Sequence, residues 1–253
     1  MMDLPDLLNI ARKASAAASA EILRIYDSGN FSFQAKVDNS PLTKADKAAH
    51  HIIEKHLDQT EIPILSEEGH HHPYKERKDW EYLWIVDPLD GTKEFIKKNG
   101  EFTVNIALIK NGVPILGVVE APVLAKQYFG IHGEGAHVVV EEQVKELQKI
   151  SPLDITRKGL RVVASRSHLN EETTAFLKKL DHPEVVSMGS SLKFMMIAEQ
   201  KADIYPRFAP TMEWDTAAAQ AIVNSLGGKV VDQKDEPLLY NKENLLNPFF
   251  KVY

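Results

Sequence analysis

The sequence predicts an α+β half followed by an α/β half, and three observations carry that prediction. Apolar residues recur at helical spacing between Leu4 and Leu57. Strand-like runs separated by short turns fill Leu83 to Val140. After Ile155, strand-like and helix-like runs alternate to the end of the chain.

In the opening stretch, "MMDLPDLLNIARKASAAASAEILRIY", Leu4, Leu7, Leu8, Ala11, Ala18 and Ile22 share one face. An amphipathic helix from about Asp3 to Tyr26 is therefore expected. Acids precede its apolar part and Arg12-Lys13 lie within it, which is not the order of a signal peptide. A second helix is expected from about Thr43 to Leu57, after Pro41, and then "IPILSEEG" reads as a short strand, Ile62 to Leu65, running out into acids. "HHHPYKERKDWE" is polar, contains a proline and reads as a loop. "LWIV", "FTVNIALI", "ILGVVEAPV", "KQYFGI" and "AHVVV" read as strands, with Asn111-Gly112 the clearest hairpin turn. This half is expected to set two helices on a largely antiparallel sheet.

Beyond "SPLDITRKG", the runs "LRVVAS", "EVVSMG", "ADIYPRF" and "KVVD" read as strands. Helices are expected at about Glu171 to Leu180, at about Ser191 to Glu199 and within "WDTAAAQAIVNSLGG". Some parallel pairing follows from that alternation. The division is placed near Ile155 to Gly159, giving units 1–156 and 157–253.

Composition narrows the function. The 253 residues are 43% hydrophobic and 26% charged, as in an ordinary globular protein, and the net charge of -6 argues against a nucleic-acid polymer as partner. The absence of cysteine excludes thiolate catalysis, disulfides and sulfur-ligated metal, and fits a reducing, cytoplasmic setting. No apolar run approaches the ~20 residues of a membrane span. Composition carries no information on oligomeric state.

Acids stand where buried elements end. Asp46 lies in the second helix, Glu67-Glu68 follow "IPIL", Asp87 and Asp90 follow "LWIV", and Asp215 follows Trp214. Singly, each reads as a solvated acid or a helix cap, and capping alone would explain Asp215 ahead of "TAAAQAIVNSLGG". Together they suit a hard cation: Mg²⁺ takes a few carboxylates plus water and phosphate oxygens. Asp87 and Asp90 flank a turn stiffened by Pro88, with the Leu89 carbonyl between them and the backbone N–H groups of Gly91 and Thr92 beyond. Paired acids that close repel unless cations sit between them. Metal on one side and N–H groups on the other would cradle a phosphate.

The full pattern resembles a known family. It runs from an Asp through Glu-Glu and "DPLDGT" to "WD", followed by eleven residues and Gly227-Gly228. Such a pattern marks the lithium-sensitive, Mg²⁺-dependent phosphomonoesterases that include inositol monophosphatases and bisphosphate nucleotidases. "SPLTKAD", "LSEE" and "VDPLDGTKEFIKKNGEFTVNIALI" look most like the bacterial CysQ-type branch, the 3'(2'),5'-bisphosphate nucleotidases, with Lys93-Glu94 where inositol monophosphatases typically read Thr-Asn. The resemblance implies a layered αβαβα sandwich and hydrolysis of adenosine 3',5'-bisphosphate (PAP) to AMP in sulfate assimilation. The sulfated precursor PAPS would be a second substrate. It further implies a cytoplasmic protein, with peripheral attachment to the inner face of the cell membrane described for some relatives.

Carried across, the resemblance implies that Glu67, Asp87, the Leu89 carbonyl, Asp90 and Asp215 ligate two or three Mg²⁺ ions. Li⁺ and high Ca²⁺ are then expected to inhibit. Thr92, hydrogen-bonded to Asp46 or to Glu67, would orient the attacking water, with Asp46 the favoured partner. Gly91, Thr92 and Lys93 would hold the reacting phosphate. Ser190, Ser191 and Lys193 of "GSSLKF", with Arg207 and His168, would hold the distal phosphate or base, and Glu213 would face the sugar. Glu68 is expected as a supporting or exposed acid. His70-His71-His72 is expected to be loop, because successive side chains point apart and no His-x-x-x-His pair accompanies them. The rivals are the same chemistry on inositol monophosphate or a sugar bisphosphate, and a non-catalytic sensor of the same metabolite.

Overall fold

A computed structural model describes residues 3–29, 33–35, 41–70, 72–164 and 170–253. Helix α1 (Leu4–Ser28) opens at Asp3, whose carboxylate accepts the Asp6 N–H at 2.9 Å, and closes at Gly29, where φ is 69°. It buries Leu7, Ala11, Ala14, Ala18 and Ile22, the face its periodicity specified. Two short antiparallel strands, β1 (Phe33–Ala35) and β2 (Pro41–Thr43), were not anticipated from the sequence, and they lead into helix α2 (Lys44–Leu57).

Strand β3 (Ile64–Ser66) follows α2, and the stretch read as loop contains a one-turn helix, α3 (Tyr74–Arg77), begun by Pro73. Then come β4 (Tyr82–Asp90), α4 (Thr92–Ile96), β5 (Thr103–Lys110), β6 (Val113–Ala121), β7 (Lys126–Ile131), β8 (Gly135–Val140) and β9 (Gln143–Glu146). The seven strands β3 to β9 form one sheet in chain order. Only β3 and β4 pair in parallel; the other pairs are antiparallel.

Both faces of this sheet are covered, which explains the unbroken apolar runs. Trp84, Val86, Val104, Ile106, Leu108 and Val118 pack beneath α1 and α2. Leu83, Ile85, Ala107, Ile109 and Val119 enter the opposite core. The alternation along β4 is then broken where it matters. Asp87 opposes Asn105 and Asp90 opposes Thr103, so three steps on β4 face two on β5. This β-bulge falls at Pro88, which has no N–H to contribute to a ladder. It sends Leu89 into the α1/α2 core and returns Asp90 to the face of Asp87. Without the extra residue, two acids three apart would face opposite ways.

The remaining elements are β10 (Arg161–Ala164), α5 (Glu171–Leu177), β11 (Glu184–Ser187), α6 (Leu192–Ala198), β12 (Tyr205–Arg207), α7 (Glu213–Ser225), β13 (Val230–Asp232) and β14 (Phe250–Val252). Strands β10 and β11 pair in parallel, and β12-β14-β13 is antiparallel. A parallel bridge between Val162 and Ile204 joins the two groups into a mixed sheet. The layers therefore run α1/α2, large sheet, α6/α7, mixed sheet, α5, with Phe176 and Leu177 of α5 against Leu160 and Val162. Helix α7 lies directly on the large sheet, so the two halves share a core across the division placed near 156. Its approach is set by Gly117: a Cβ there would stand 2.1 Å from the Ala218 carbonyl oxygen. No helix among the described residues is long and apolar enough to cross a membrane.

Candidate active site

The bulge on β4 and the first turn of α7 converge on one point. Asp87, Asp90 and Asp215 each offer a carboxylate oxygen, and these atoms lie within 4.8 Å of one another. Helix α7 begins at Glu213 rather than at Thr216, so Asp215 is the third helical residue. Its Oδ2 accepts the Met212 N–H at 2.8 Å, so Asp215 caps the helix while facing the cavity. Burial, and then the charges of Glu67, Asp90 and Asp215, push Asp87 well above the ordinary carboxylate range. Burial and Asp90 push Asp215 up to about 8. Fully ionised, such a cluster is stable only with compensating positive charge, and an all-oxygen donor set suits a hard divalent cation. These residues fit Mg²⁺. Glu67 lies outside the tight trio yet near enough to raise Asp87 and Asp215.

Thr92 stands beside the trio at the start of α4. Its Oγ1 lies 3.3 Å from Asp46 Oδ1 and 3.3 Å from the Leu89 carbonyl, so its single proton has two acceptors. Asp46 comes from the buried face of α2. The Leu89 N–H in turn donates to Asp87 Oδ1 at 3.0 Å, stiffening the bulge. Gly91 has φ of 93°, and a Cβ there would press on the Glu101 carbonyl at 3.2 Å. Glycine is needed on both counts.

A cavity of about 400 Å³ opens beside the acids. Asp90, Gly91 and Asp215 line it together with Lys193, Tyr205 and Arg207. Burial, against the pull of Asp90, lowers the Lys193 ammonium to about 8, and its Nζ donates to the Ser190 carbonyl at 2.9 Å. Arg207 Nε is buried and has no hydrogen-bond partner among the described residues, while Nη2 donates to the Pro210 carbonyl at 3.2 Å. Two cationic groups thus share one cavity with the acids.

Four expected contacts are placed differently. Lys93 is exposed and outside the cavity, because it projects from the outer side of α4; Glu94 and Lys97 line the cavity instead. Ser191 is 1% exposed; its N–H donates to Asp90 Oδ2 at 2.6 Å and its Oγ to Asn105 Oδ1 at 2.8 Å. Ser190, with φ of 54°, does line the cavity, but its Oγ also donates to Asp90 Oδ2, at 2.5 Å. Both serines hold an acid rather than standing free for a phosphate. Glu213 does not face a sugar: it is wholly buried and takes donors from Asn241 and Lys242. Two residues from Asp215 on a helix is a rotation of about 200°, so the two acids face opposite sides.

His168 and His71 lie outside the described residues. His72 meets His70 and Trp80 edge-on, at ring distances of 5.0 and 5.1 Å, and among the described residues neither His70 nor His72 joins a three-ligand group. Glu68 is part-buried at the strand end, its N–H 3.4 Å from Ser66 Oγ. Sequence reasoning missed Thr103, whose Oγ1 lies 2.6 Å from Ser190 Oγ and 2.8 Å from Ser191 Oγ, and Asn105 beside it. Their only sequence signal is period-2 placement on the β5 face shared with Ala107.

Comparison with known proteins agrees with this architecture. A model of the inositol monophosphatase family matches residues 3–248. The chain is 44% identical over 255 residues to the 3'(2'),5'-bisphosphate nucleotidase CysQ of Salmonella typhimurium, covering 98% of each chain. The crystal structure of CysQ from Bacteroides thetaiotaomicron superposes with a TM-score of 0.84 at 45% identity, covering 98% of this chain and 97% of that one. An inositol monophosphatase from Anabaena shares the fold at 24% identity, with a TM-score of 0.73 over 100% of this chain and 91% of that one. The bulged Asp-Pro-Leu-Asp strand, the capping Asp215 and matches running nearly end to end lead to one conclusion: the chain belongs to the inositol monophosphatase family.

Proposed function

We propose that this chain is a Mg²⁺-dependent phosphomonoesterase that hydrolyses adenosine 3',5'-bisphosphate to AMP and phosphate. PAPS would be a second substrate. The observation that carries the reading is one cavity lined both by the carboxylates of Asp90 and Asp215 and by the cations Lys193 and Arg207. A substrate with two phosphates can engage both the metal held by the acids and the two cations, whereas an inositol monophosphate brings a single phosphate to them. The names of the CysQ relatives support the same substrate.

Two or three Mg²⁺ ions held by Asp87, Asp90, Asp215, Glu67 and the Leu89 carbonyl would supply a water of lowered pKa and positive charge beside the leaving oxygen. The chain's own groups orient and receive protons. Thr92 Oγ1 passes its proton toward Asp46 and accepts one from the attacking water. The new P–O bond forms from that water as the bond to the 3'-oxygen breaks, and the departing 3'-oxygen takes a proton from solvent water to give the 3'-hydroxyl of AMP. Gly91 and Thr92 N–H groups face the transferring phosphate, and Ser190 and Ser191 keep Asp90 oriented. Lys193 and Arg207 receive the 5'-phosphate.

Turnover of the bisphosphate nucleotide should greatly exceed that of inositol monophosphate, and Asp90→Asn should abolish it. A preference for inositol monophosphate would overturn the substrate. Tight nucleotide binding without turnover in the unaltered protein would make it a sensor. Li⁺ is expected to inhibit by taking a Mg²⁺ position with too little charge, and undiminished activity at high Li⁺ would count against the metal arrangement.

A further inference from the structure

The burial of Glu213 opens onto a chain of polar contacts that the proposed chemistry does not use. Its carboxylate accepts the Asn241 N–H at 2.6 Å, the Lys242 N–H at 3.0 Å and Lys242 Nζ at 2.6 Å. Asn241 has φ of 62°, a left-handed conformation that aims its side chain the other way. There it exchanges two hydrogen bonds with Arg77: Arg77 Nη1 donates to Asn241 Oδ1 at 2.8 Å, and Asn241 Nδ2 donates to the Arg77 carbonyl at 2.6 Å. The Arg77 guanidinium is 3% exposed and also donates to the carbonyls of Glu243, at 3.2 Å, and His72, at 3.3 Å.

A cation buried on neutral oxygens is a costly way to stabilise a fold, since an apolar side chain of similar volume would do as well or better. Its position suggests another use. Arg77 lies on α3, between Glu67 at the end of β3 and the start of β4, the strand that carries Asp87 and Asp90. Glu213 is the first residue of α7 and Asp215 the third. The chain Arg77–Asn241–Glu213 therefore ties the connection between β3 and β4 to the helix turn that carries Asp215. Mg²⁺ requires near-ideal octahedral oxygens at about 2.0–2.1 Å, whereas Ca²⁺ accepts 6–8 ligands over a looser range.

We infer that Arg77, Asn241 and Glu213 are positioning residues that hold Asp215 at the separation a small, geometrically demanding ion requires. The inference rests on the metal reading above, and the two are separable. Calorimetric titration of the unaltered full chain with Mg²⁺ tests the metal reading alone. The variants test the network. Asn241→Gly keeps the left-handed backbone and the N–H donated to Glu213, and removes both bonds to Arg77. Glu213→Gln keeps the side chain's shape and removes its charge. Each is expected to weaken Mg²⁺ binding about tenfold or more, the usual size of a supporting-partner effect on metal affinity, and Ca²⁺ binding several-fold less. The readout is thus the Mg²⁺/Ca²⁺ ratio, which simple loss of stability would not move. Folded variants in which both ions weaken equally, or neither weakens, overturn the inference. So does failure of both variants to fold, because the chain would then serve the fold and not the ion.

Discussion

Asp215→Asn should stabilise the metal-free protein at neutral pH while destroying its metal site. The Asp215 carboxyl titrates near 3.8 in an unfolded chain and at about 8 in the fold, raised chiefly by burial and by Asp90. Well below pH 3.8 it is protonated in both states and costs nothing. As pH rises toward 8 the unfolded chain ionises while the fold resists, so stability falls, and the deficit is complete above about 8. At pH 7 a sealed site would cost about 4 kcal/mol, from roughly three pKa units at ~1.4 kcal/mol each. Asp215 is open to the cavity, so solvent screening brings the figure nearer ~2 kcal/mol. Asparagine keeps an oxygen for the Met212 N–H and removes the charge. Calorimetry in a chelator should therefore show the variant melting ~4–8 °C above its parent at pH 7, with most of that gap gone at pH 4. With saturating Mg²⁺ the order should reverse, because the parent alone gains full binding energy: about 2.7 kcal/mol at a hundredfold excess over Kd. Equal melting at pH 7, or a gain undiminished at pH 4, would refute the electrostatic account.

Thr92→Val should lower kcat by about 10²–10³-fold and leave Mg²⁺ affinity unchanged, since it removes a proton path and no charge; unchanged kcat would exclude the Asp46–Thr92 relay. Lys193→Met and Arg207→Ala should each raise KM for the bisphosphate nucleotide tenfold or more and barely alter turnover of a nucleoside 3'-monophosphate. Equal losses on both substrates would place these cations elsewhere in the reaction. Gly117→Ala should cost ~1–3 kcal/mol, because a Cβ 2.1 Å from the Ala218 carbonyl must push α7 off the sheet. An unshifted melting temperature would show that the helix yields freely.

Local chemistry is legible in a sequence when it repeats or caps. The α1 face, the hairpin at Asn111-Gly112 and the acids of "DPLDGT" all follow from spacing and from turn residues. Elements too short to show a period were missed: β1, β2, β9, β14 and the turn of α3, each of three or four residues. Boundaries moved where a cap decided them, as with α7, whose true start at Glu213 turns Asp215 from a preceding residue into a capping one.

By itself the sequence determined which residues could carry charge to a metal and the succession of an α+β and an α/β half, and its motifs carried the resemblance that implied the layered fold and the family, because these depend on residue type and on order along the chain. Only the tertiary structure decided which acids meet. The bulge at Pro88 turns Asp90 onto the face of Asp87, and Gly117 lets α7 settle close enough to bring Asp215 to both. The same packing assigns Glu213, Ser191 and Lys93 to support or to solvent rather than to substrate. Direction is a property of backbone register and helix rotation, fixed by contacts between residues a hundred or more positions apart, and spacing within one element cannot encode it.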